Sequence, residues 1–550
     1  MASSNGLSFR DFTEMAPPAL ALLVILSLRL LCEARFAPDW DSLNATVAGG
    51  LVRPKPFAQP CIDKPTSAEC AFVQANWRNT SACTKRCSAN LLDLHSTAAR
   101  PEVLTNTSDL SLLENCKQGS IPSYAVTVRN AADVAATLEF AKRHDIDVVI
   151  KNTGHDYSGR SSAPGSLSLW THKLKSITLH ESSVSGQIAV TFGAGVQWFE
   201  AYDFAEAHNV TVAGGFCPTV GVAGGFLQGG GHSLLSNTMG LAVDRVLEWI
   251  LRTVSACQEV DLWFALRGGG GGTFGVVLEA TYLASPITTI QSAFVFVGDG
   301  SDETITRDFF RKMVANGQNW ADDGWGYVYV AAGVGFANPK LDATAAKASL
   351  RSILNFGQSL MDAGVPGASV QVFEFASYKE FMDYFNSILI ADVGIPTAHD
   401  SLLIPKTNFA TSATQEELVK ALMSAWSQVP MLLVFATTPA SFPGDGTSSV
   451  TPAWRNSLYH VIAATSWDHN GNATAENRKN HFRQTKNAIA ALRKITPGTA
   501  YLNEVSIYAD NHEEAFWGAE NYARLLRIKQ KYDPHHLLDC WQCGMRTFRC

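Results

Sequence analysis

The chain has no long uninterrupted apolar run, no basic stripe and no Gly-Lys-Ser/Thr phosphate loop. Each absence closes a class of function. The N-terminal apolar stretch, Ala19 to Leu31, is broken by Arg29. It is too short for a comfortable bilayer span and fits the core of a signal peptide, with Cys32 and Ala34 as small residues placed for cleavage after Ala34. Asp11 and Glu14 sit badly in front of such a core, so initiation at Met15 would give a cleaner signal; an uncleaved anchor is the alternative. Acidic residues number 50 against 43 Lys and Arg, a net charge of −7 that gives no reason to expect nucleic acid. The missing Gly-Lys-Ser/Thr loop argues against a nucleotide-phosphate enzyme. One Cys-x-x-Cys pair, Cys540 and Cys543, has no second pair to complete a zinc site, so no metal is expected and a redox role is the weaker reading. Internal repeats and long low-complexity segments are also absent. At 550 residues, 46% hydrophobic and 17% charged, the chain has an ordinary globular composition with room for two or three domains.

Cysteines and sequons point to an oxidising compartment. Cys61, Cys70, Cys83, Cys87 and Cys116 crowd the N-terminal segment, and Cys540, Cys543 and Cys550 the tail, as disulfide clips of a secreted protein would. Their pairing is not readable from sequence. Acceptor sequons lie at Asn44, Asn79, Asn106, Asn209 and Asn472. After signal cleavage the expected product is a secreted protein with no membrane attachment.

Glycine is concentrated where it is least use to a core. Gly214 to Ser233 holds eight glycines in twenty residues, with Cys217 and Pro218 among them. Glycine loses the most entropy on folding and packs nothing, so such density belongs where backbone turns tightly against a large flat or anionic ligand. A second such loop, Lys151-Asn152-Thr153-Gly154-His155-Asp156-Tyr157-Ser158-Gly159-Arg160, lies upstream. A third, Arg267 followed by Gly268 to Gly272 and Thr273-Phe274-Gly275, lies downstream. Three loops of this kind suggest one extended cofactor wrapped by all of them.

Residues 35 to about 118 read as a loop-rich, Cys-rich preamble. Tyr124 to Val128 has strand character, and Asn130 can cap a helix with Val134, Leu138 and Ala141 on one face. A short buried strand, Val148-Val149-Ile150, then leads into the first glycine-containing loop, an order that delivers backbone donors to a phosphate. A second α/β unit runs from Ile177 through Gly193-Ala194-Gly195-Val196 and a helix near Trp198 to Ala207. From about 289, strand-like runs (292–297, 325–334, 370–375, 431–437, 458–464) alternate with helical ones near 303–316, 342–362, 414–426 and 475–494. Tyr327, Tyr329, Phe373, Phe375 and Tyr459 are expected to form an aromatic sheet face over a substrate cavity. The end, Ala500 to Asp533, reads as strand, loop and helix (Tyr522 to Lys531), closed by Asp533-Pro534.

Several of these motifs resemble the secreted FAD-linked oxidases of the berberine-bridge-enzyme-like group, within the vanillyl-alcohol-oxidase fold superfamily. They are Gly154-His155-Asp156-Tyr157, Cys217-Pro218-Thr219-Val220-Gly221 with its glycine train, and Ala265-Leu266-Arg267 before five glycines. The tail agrees: Tyr501-Leu502-Asn503-Glu504, Phe516-Trp517-Gly518, Tyr522 with Arg524-Leu525, and Lys531-Tyr532-Asp533-Pro534. The resemblance implies an α+β protein with a bipartite PCMH-type FAD-binding domain of two α/β subdomains. Beside it stands a substrate domain whose antiparallel sheet is backed by helices. The expected segments are a signal peptide (1–34), the Cys-rich segment (35–118), the FAD-binding domain (119–288), the substrate domain (289–497) and a C-terminal return to the FAD domain (498–550). It further implies FAD attached covalently at His155, and in many members also at Cys217. Lys151, Asn152 and the amides of Thr153 to Gly159 would hold the pyrophosphate. Pro218, Thr219, Gly221, Gly224, Gly225, Gly229, Gly230, Gly231 and His232 would lie along the flavin. Val220 stands where a small residue admits O2, which favours an oxidase over a dehydrogenase.

The expected partners are a small-molecule substrate and O2 as electron acceptor, with the chain a monomer. The substrate would be an alcohol-bearing carbohydrate or secondary metabolite, with ring closure or desaturation in a pathway as the runner-up. Many members carry a tyrosine after the Asn of the closing motif. Here Glu504 stands there, either a base with a pKa tuned by desolvation or a carboxylate satisfied locally, with Asn503 positioning the substrate or flavin edge. One departure stands out: Leu247-Glu248 reaches Asp261-Leu262 with only twelve residues between, where the family has a longer hairpin. A flavin-free binding glycoprotein is the reading this shortening favours.

Overall fold

The computed structural model describes residues 38–57, 59–76, 119–181, 186–250, 259–388, 396–467, 474–540 and 542–543. The signal-peptide assignment, the sequons Asn79, Asn106 and Asn472, and most of the 249–260 shortening lie outside them. Among the described residues no helix is long and apolar enough to cross a membrane.

Strands β1 (Leu51–Val52), β2 (Tyr124–Thr127), β3 (Val148–Lys151) and β4 (Leu167–Trp170) form a sheet of order β1-β2-β4-β3, in which β2, β4 and β3 run parallel. The Cys-rich preamble is tied to it twice, by β1 pairing antiparallel to β2 and by Trp40 stacked on Tyr124 at 3.8 Å. Asn130 caps the helix Ala131–His144 by accepting from the amides of Ala132 and Asp133. The buried face of that helix is Asp133, Thr137, Phe140 and Ala141, with Val134 and Leu138 at its flank. Rotation toward Asp133 follows from its pairing with Arg129.

Strands β5 (Ile177–His180), β6 (Ala189–Gly193), β8 (Val246–Ile250) and β9 (Glu279–Leu283) make a second, antiparallel sheet of order β5-β6-β9-β8. Helix Trp198–Ala207 packs in the core beside it. β8 pairs with β9 up to Ile250, with a bulge between Val246 and Glu248, and helix Val260–Leu266 resumes beyond the shortened segment. A small pair, β7 (Val210–Thr211) with β10 (Ser285–Pro286), stands between this sheet and the next.

The third sheet has seven antiparallel strands in the order β14-β11-β13-β12-β16-β17-β15. Their ranges are β11 (Ile290–Val297), β12 (Gly326–Val330), β13 (Gly333–Asn338), β14 (Ala368–Phe375), β15 (Thr397–Pro405), β16 (Met431–Ala436) and β17 (Ser457–Ser466). The single run expected over 325–334 is a hairpin, because Ala331-Ala332 turns the chain without any Pro, Asn or Asp to announce it. The helical run 342–362 is two helices, Ala343–Ser349 and Arg351–Asp362. One sheet face packs on helices Glu303–Asp322, Arg351–Asp362 and Ser412–Trp426. Asp302 starts the first of these by accepting from the amides of Thr304 and Ile305.

The expected aromatic cavity face is corrected by this packing. Tyr327, Tyr329 and Tyr459 lie on the helix side, buried with Phe309, Phe310 and Trp320. Phe373 and Phe375 lie on the other face, together with Phe294. The strand expected at the start of the tail is also absent. Residues 500–511 are irregular, followed by helices His512–Trp517 and Ala519–Tyr532.

The tail is fastened by a buried lysine. Lys529 Nζ donates to the carbonyls of Thr273 (2.9 Å) and Leu538 (3.0 Å) and pairs with Asp533 (2.7 Å), at 1% exposure of its side chain. Removing one partner of such a buried pair leaves the other uncompensated. Lys529→Ala is expected to destabilise the protein by about 3–5 kcal/mol, read as a lowered urea midpoint; an unchanged midpoint would remove the lysine from the account.

Candidate active site

The C-terminal segment meets all three glycine loops. Asp156 accepts from the backbone amide of Arg160 and holds its guanidinium, which also donates to Asn503 Oδ1 (3.1 Å). Asn503 Nδ2 donates to Gly225 O (2.9 Å) and to Tyr501 Oη (2.8 Å), and Tyr501 Oη accepts from Gly231 N (3.2 Å). The segment therefore grips the second half of the second loop at two points. Trp517 Nε1 donates to Gly268 O (2.9 Å) and so holds the third loop.

Two asparagines explain two of the glycines. A Cβ at Gly221 would lie 2.1 Å from Asn152 Nδ2, and one at Gly229 would lie 2.4 Å from Asn503 Nδ2. Gly231, at φ +72°, would collide with Phe226 and Ala242. A Cβ at Gly271 would lie 2.7 Å from Gly225 Cα, so the second and third loops touch main chain to main chain.

His155 and Cys217 converge on one hydroxyl. Thr219 Oγ1 lies 2.8 Å from His155 Nε2 and 3.7 Å from Cys217 Sγ. The 217–221 turn is set by helix Trp198–Ala207, whose first amides, Trp198 and Phe199, donate to the carbonyls of Val220 and Pro218. Gln197 Nε2 donates to Thr219 O (2.8 Å). Cys217 is the one free cysteine among the described residues; burial pushes its thiol pKa up, against hydrogen bonds from the Thr219 amide and hydroxyl and the Val220 amide. The other cysteines with described placement form the disulfides Cys61–Cys70 and Cys540–Cys543.

Lys151 is buried at the end of β3, and its carbonyl accepts from Thr171 N. Thr153 and Ser158 are buried; Gly154 and Gly159 take the left-handed φ of +92° and +72° that the loop turns need. Tyr157 is exposed, and its ring meets His399 edge-on at 4.5 Å.

On the sheet side the site is a carboxylate held by two imidazoles. Glu504 Oε2 lies 3.2 Å from His232 Nε2 and 2.9 Å from His460 Nε2 on β17. His232 Nδ1 lies 2.8 Å from Thr437 Oγ1. The two histidine side chains are 3% and 0% exposed against 24% for Glu504, so only the carboxylate reaches open space. Burial alone would raise the Glu504 pKa, but the charge and hydrogen bonds of His232 and His460 outweigh it and hold the carboxyl well below its usual range. The tuning is thus opposite in sign to the raised pKa that desolvation alone would give a base. Burial lowers the pKa of His460, partly offset by Glu504. An ionised carboxylate only accepts, so both Nε2 atoms carry hydrogen. Two imidazoles and a carboxylate within 4.8 Å are also a set that divalent cations accept; residues 232, 460 and 504 are too far apart in the chain for spacing to reveal it.

His399, on β15, is 6% exposed, and neither ring nitrogen has a well-formed hydrogen bond. Burial pushes its pKa down to about 4, against the charge of Glu504 and the nearby Val505 backbone. Sequence reasoning missed His399 and His460 and gave Arg160, the last residue of the first glycine loop, no role. A histidine inside the apolar run 458–464 was the one available signal.

Gly229→Ala is expected to displace Asn503 and cost about 1–3 kcal/mol through overpacking, read as a lowered thermal midpoint. A midpoint equal to that of the parent would contradict the clamp.

Comparison with known proteins agrees with this geometry. Residues 122–275 match the FAD binding domain family and residues 500–541 the berberine and berberine-like family. An FAD-linked oxidoreductase of Aspergillus flavipes is 34% identical over 591 aligned residues, covering 94% of each chain. A VAO-type flavoprotein oxidase of Thermothelomyces thermophilus is 32% identical, covering 90% of this chain and 88% of its own. Among solved structures, a VAO-type flavoprotein from Myceliophthora thermophila C1 superposes with TM-score 0.78 at 30% identity, covering 91% of this chain and 93% of its own. A glucooligosaccharide oxidase from Acremonium strictum, described with a 6-S-cysteinyl, 8α-N1-histidyl FAD, shares the fold with TM-score 0.60 at 20% identity, covering 77% of this chain and 91% of its own. The protein is an FAD-dependent oxidoreductase, and the chain belongs to the berberine-bridge-enzyme-like, VAO-type family.

Proposed function

We propose that the protein is a secreted oxidase that removes hydride from the carbinol carbon of an alcohol-bearing small molecule and uses O2 as final acceptor, releasing H2O2. The observation that carries the reading is Glu504, an ionised carboxylate at the open edge of a buried His232–Glu504–His460 unit, beside the loops that bring His155 and Cys217 together.

FAD fits the junction of the three loops. Asn152 Oδ1, Gln228 Oε1 and Thr273 Oγ1 are buried there without partners, and Gly225 faces open space. A ligand rich in hydrogen-bonding groups would satisfy those atoms. His155 and Cys217 are the attachment points in this reading, by analogy with the doubly linked flavin of the glucooligosaccharide oxidase. Lys151, Asn152 and the Thr153–Gly159 amides would hold the pyrophosphate. Pro218, Gly221, Gly224 and Gly230 would lie beside the ring. Val220 would stand where O2 reaches the ring. When bound, FAD supplies the hydride acceptor and reduces O2.

The residues of the chain handle the proton. The substrate hydroxyl donates to the free oxygen sites of Glu504, and the carboxylate takes the proton as the carbon is oxidised, when the hydroxyl is most acidic. Held below its usual range, the carboxylate is a weak base but is always in the accepting form at neutral pH. His232 and His460 fix its direction by donating Nε2–H, and Thr437 fixes His232 in turn. Neutral His399, beside Tyr157, is available to hydrogen-bond the substrate.

Glu504→Gln keeps the size and acceptor oxygen but cannot take a proton, so kcat for peroxide release is expected to fall about 10²- to 10⁴-fold with flavin content unchanged. Both Glu504 and His399 have folded pKa values below their ordinary ones, so function and stability tied to them hold at neutral pH and are lost as pH falls. The acid limb of kcat/KM is expected near pH 4, where His399 gains charge. Full activity in Glu504→Gln, or a limb near pH 7, would overturn the assignment.

A further inference from the structure

The His232–Glu504–His460 unit has the make-up of an open three-donor cation site, a capacity that proton transfer does not use. Its donors come from separate parts of the fold: His232 from the second glycine loop, Glu504 from the tail and His460 from β17. Each is held by its own surroundings. The two histidine side chains are 3% and 0% exposed and are wedged among Phe216, Phe435, Trp454 and Tyr501. Glu504 follows the clamped Asn503 and is 24% exposed, which leaves one open side from which an ion can enter.

The spacing suits a transition-metal ion. Nitrogen and oxygen donors stand about 2.0–2.2 Å from Zn2+ and, in a tetrahedron, about 3.4 Å from one another. Here Glu504 Oε2 lies 3.2 Å from His232 Nε2 and 2.9 Å from His460 Nε2, and the three donor atoms lie within 4.8 Å of one another. A small turn of the carboxylate would admit an ion in place of both hydrogen bonds. An imidazole that ligates through Nε2 carries its hydrogen on Nδ1 and needs an acceptor behind it. His232 has one in Thr437 Oγ1 at 2.8 Å, a hydroxyl that changes from donor to acceptor by rotating. His460 Nδ1 is buried without a partner. With one of its two imidazoles supported in this way, the site is suited to an exchangeable ion rather than a permanent one.

We propose that this unit binds one exchangeable first-row divalent cation through His232 Nε2, His460 Nε2 and Glu504, and that the ion shuts the site by occupying the carboxylate. Two imidazoles and a carboxylate suit Zn2+, Co2+ or Ni2+, whereas Mg2+ and Ca2+ prefer oxygen donors throughout. The binding stands on the three side chains alone; the shut-off rests on the reading of Glu504 as the proton acceptor.

The test is isothermal titration of the purified, untagged holoenzyme with ZnCl2, with MgCl2 and CaCl2 for comparison. Peroxide release from an alcohol that the enzyme turns over is followed across the same range of Zn2+, an ion without redox chemistry of its own. One Zn2+ per chain is expected, with no comparable binding of Mg2+ or Ca2+. Peroxide release is expected to fall in step with occupancy and to return with EDTA. Thr437→Val, which removes the acceptor behind His232, is expected to weaken Zn2+ binding about 10- to 100-fold, and Glu504→Gln to abolish the stoichiometric binding. No Zn2+ binding, equal binding of Mg2+, or unchanged affinity in either variant would each overturn the proposal. Stoichiometric Zn2+ binding that is lost in Glu504→Gln but leaves peroxide release untouched would uphold the site and remove Glu504 from the oxidase reading instead.

Discussion

Asn503 occupies the space that a side chain at Gly229 would need, and much of the molecule depends on that exchange of volume. Its amide joins the carbonyl of Gly225, the hydroxyl of Tyr501 and, through Arg160, the carboxylate of Asp156. One side chain thereby fixes the first loop against the second, with Trp517 and Lys529 fixing the third. Glycine has no packing energy to contribute at these places; its value is that main chains and amides come closer than any Cβ permits. Glu504 follows Asn503 directly, so the same clamp delivers the carboxylate to the sheet.

The electrostatics follow from where that carboxylate lands. Desolvation works against its charge, and two imidazole N–H donors work for it and prevail. The histidines are themselves buried among Phe216, Phe435, Trp454 and Tyr501, which keeps them in place, and Glu504 is the polar partner that both share. The unit thus stays ionised at its exposed oxygen while its interior remains apolar. The same aromatic packing continues from Phe435 through Phe216 to Phe385 along one sheet face.

What was legible in the sequence was local. The glycine loops, His155 and Cys217 could be read because glycine density and short motifs carry meaning within a few residues. Asn130 as a cap and β2, β11 and β14 could be read for the same reason. The His232–Glu504–His460 unit joins residues 232, 460 and 504, which no spacing rule connects. β15 escaped because His399, Asp400 and Ser401 interrupt its hydrophobic pattern, although all three are buried. The misplaced tyrosines have a different cause. β12 and β17 are buried on both faces, so alternation does not tell which face meets the helices. The shortened segment before Asp261 suggested a damaged domain, yet β8 keeps its place on β9 and the loops meet as the motif requires.

The central claim is that the three loops hold FAD with His155 and Cys217 at its ring. The most direct measurement is an absorbance spectrum of the purified protein before and after acid denaturation, with mass spectrometry of the flavin-bearing peptides. The account predicts a yellow protein whose flavin remains with the chain and maps to the peptides containing residues 155 and 217. Colourless protein that takes up no added FAD would contradict it.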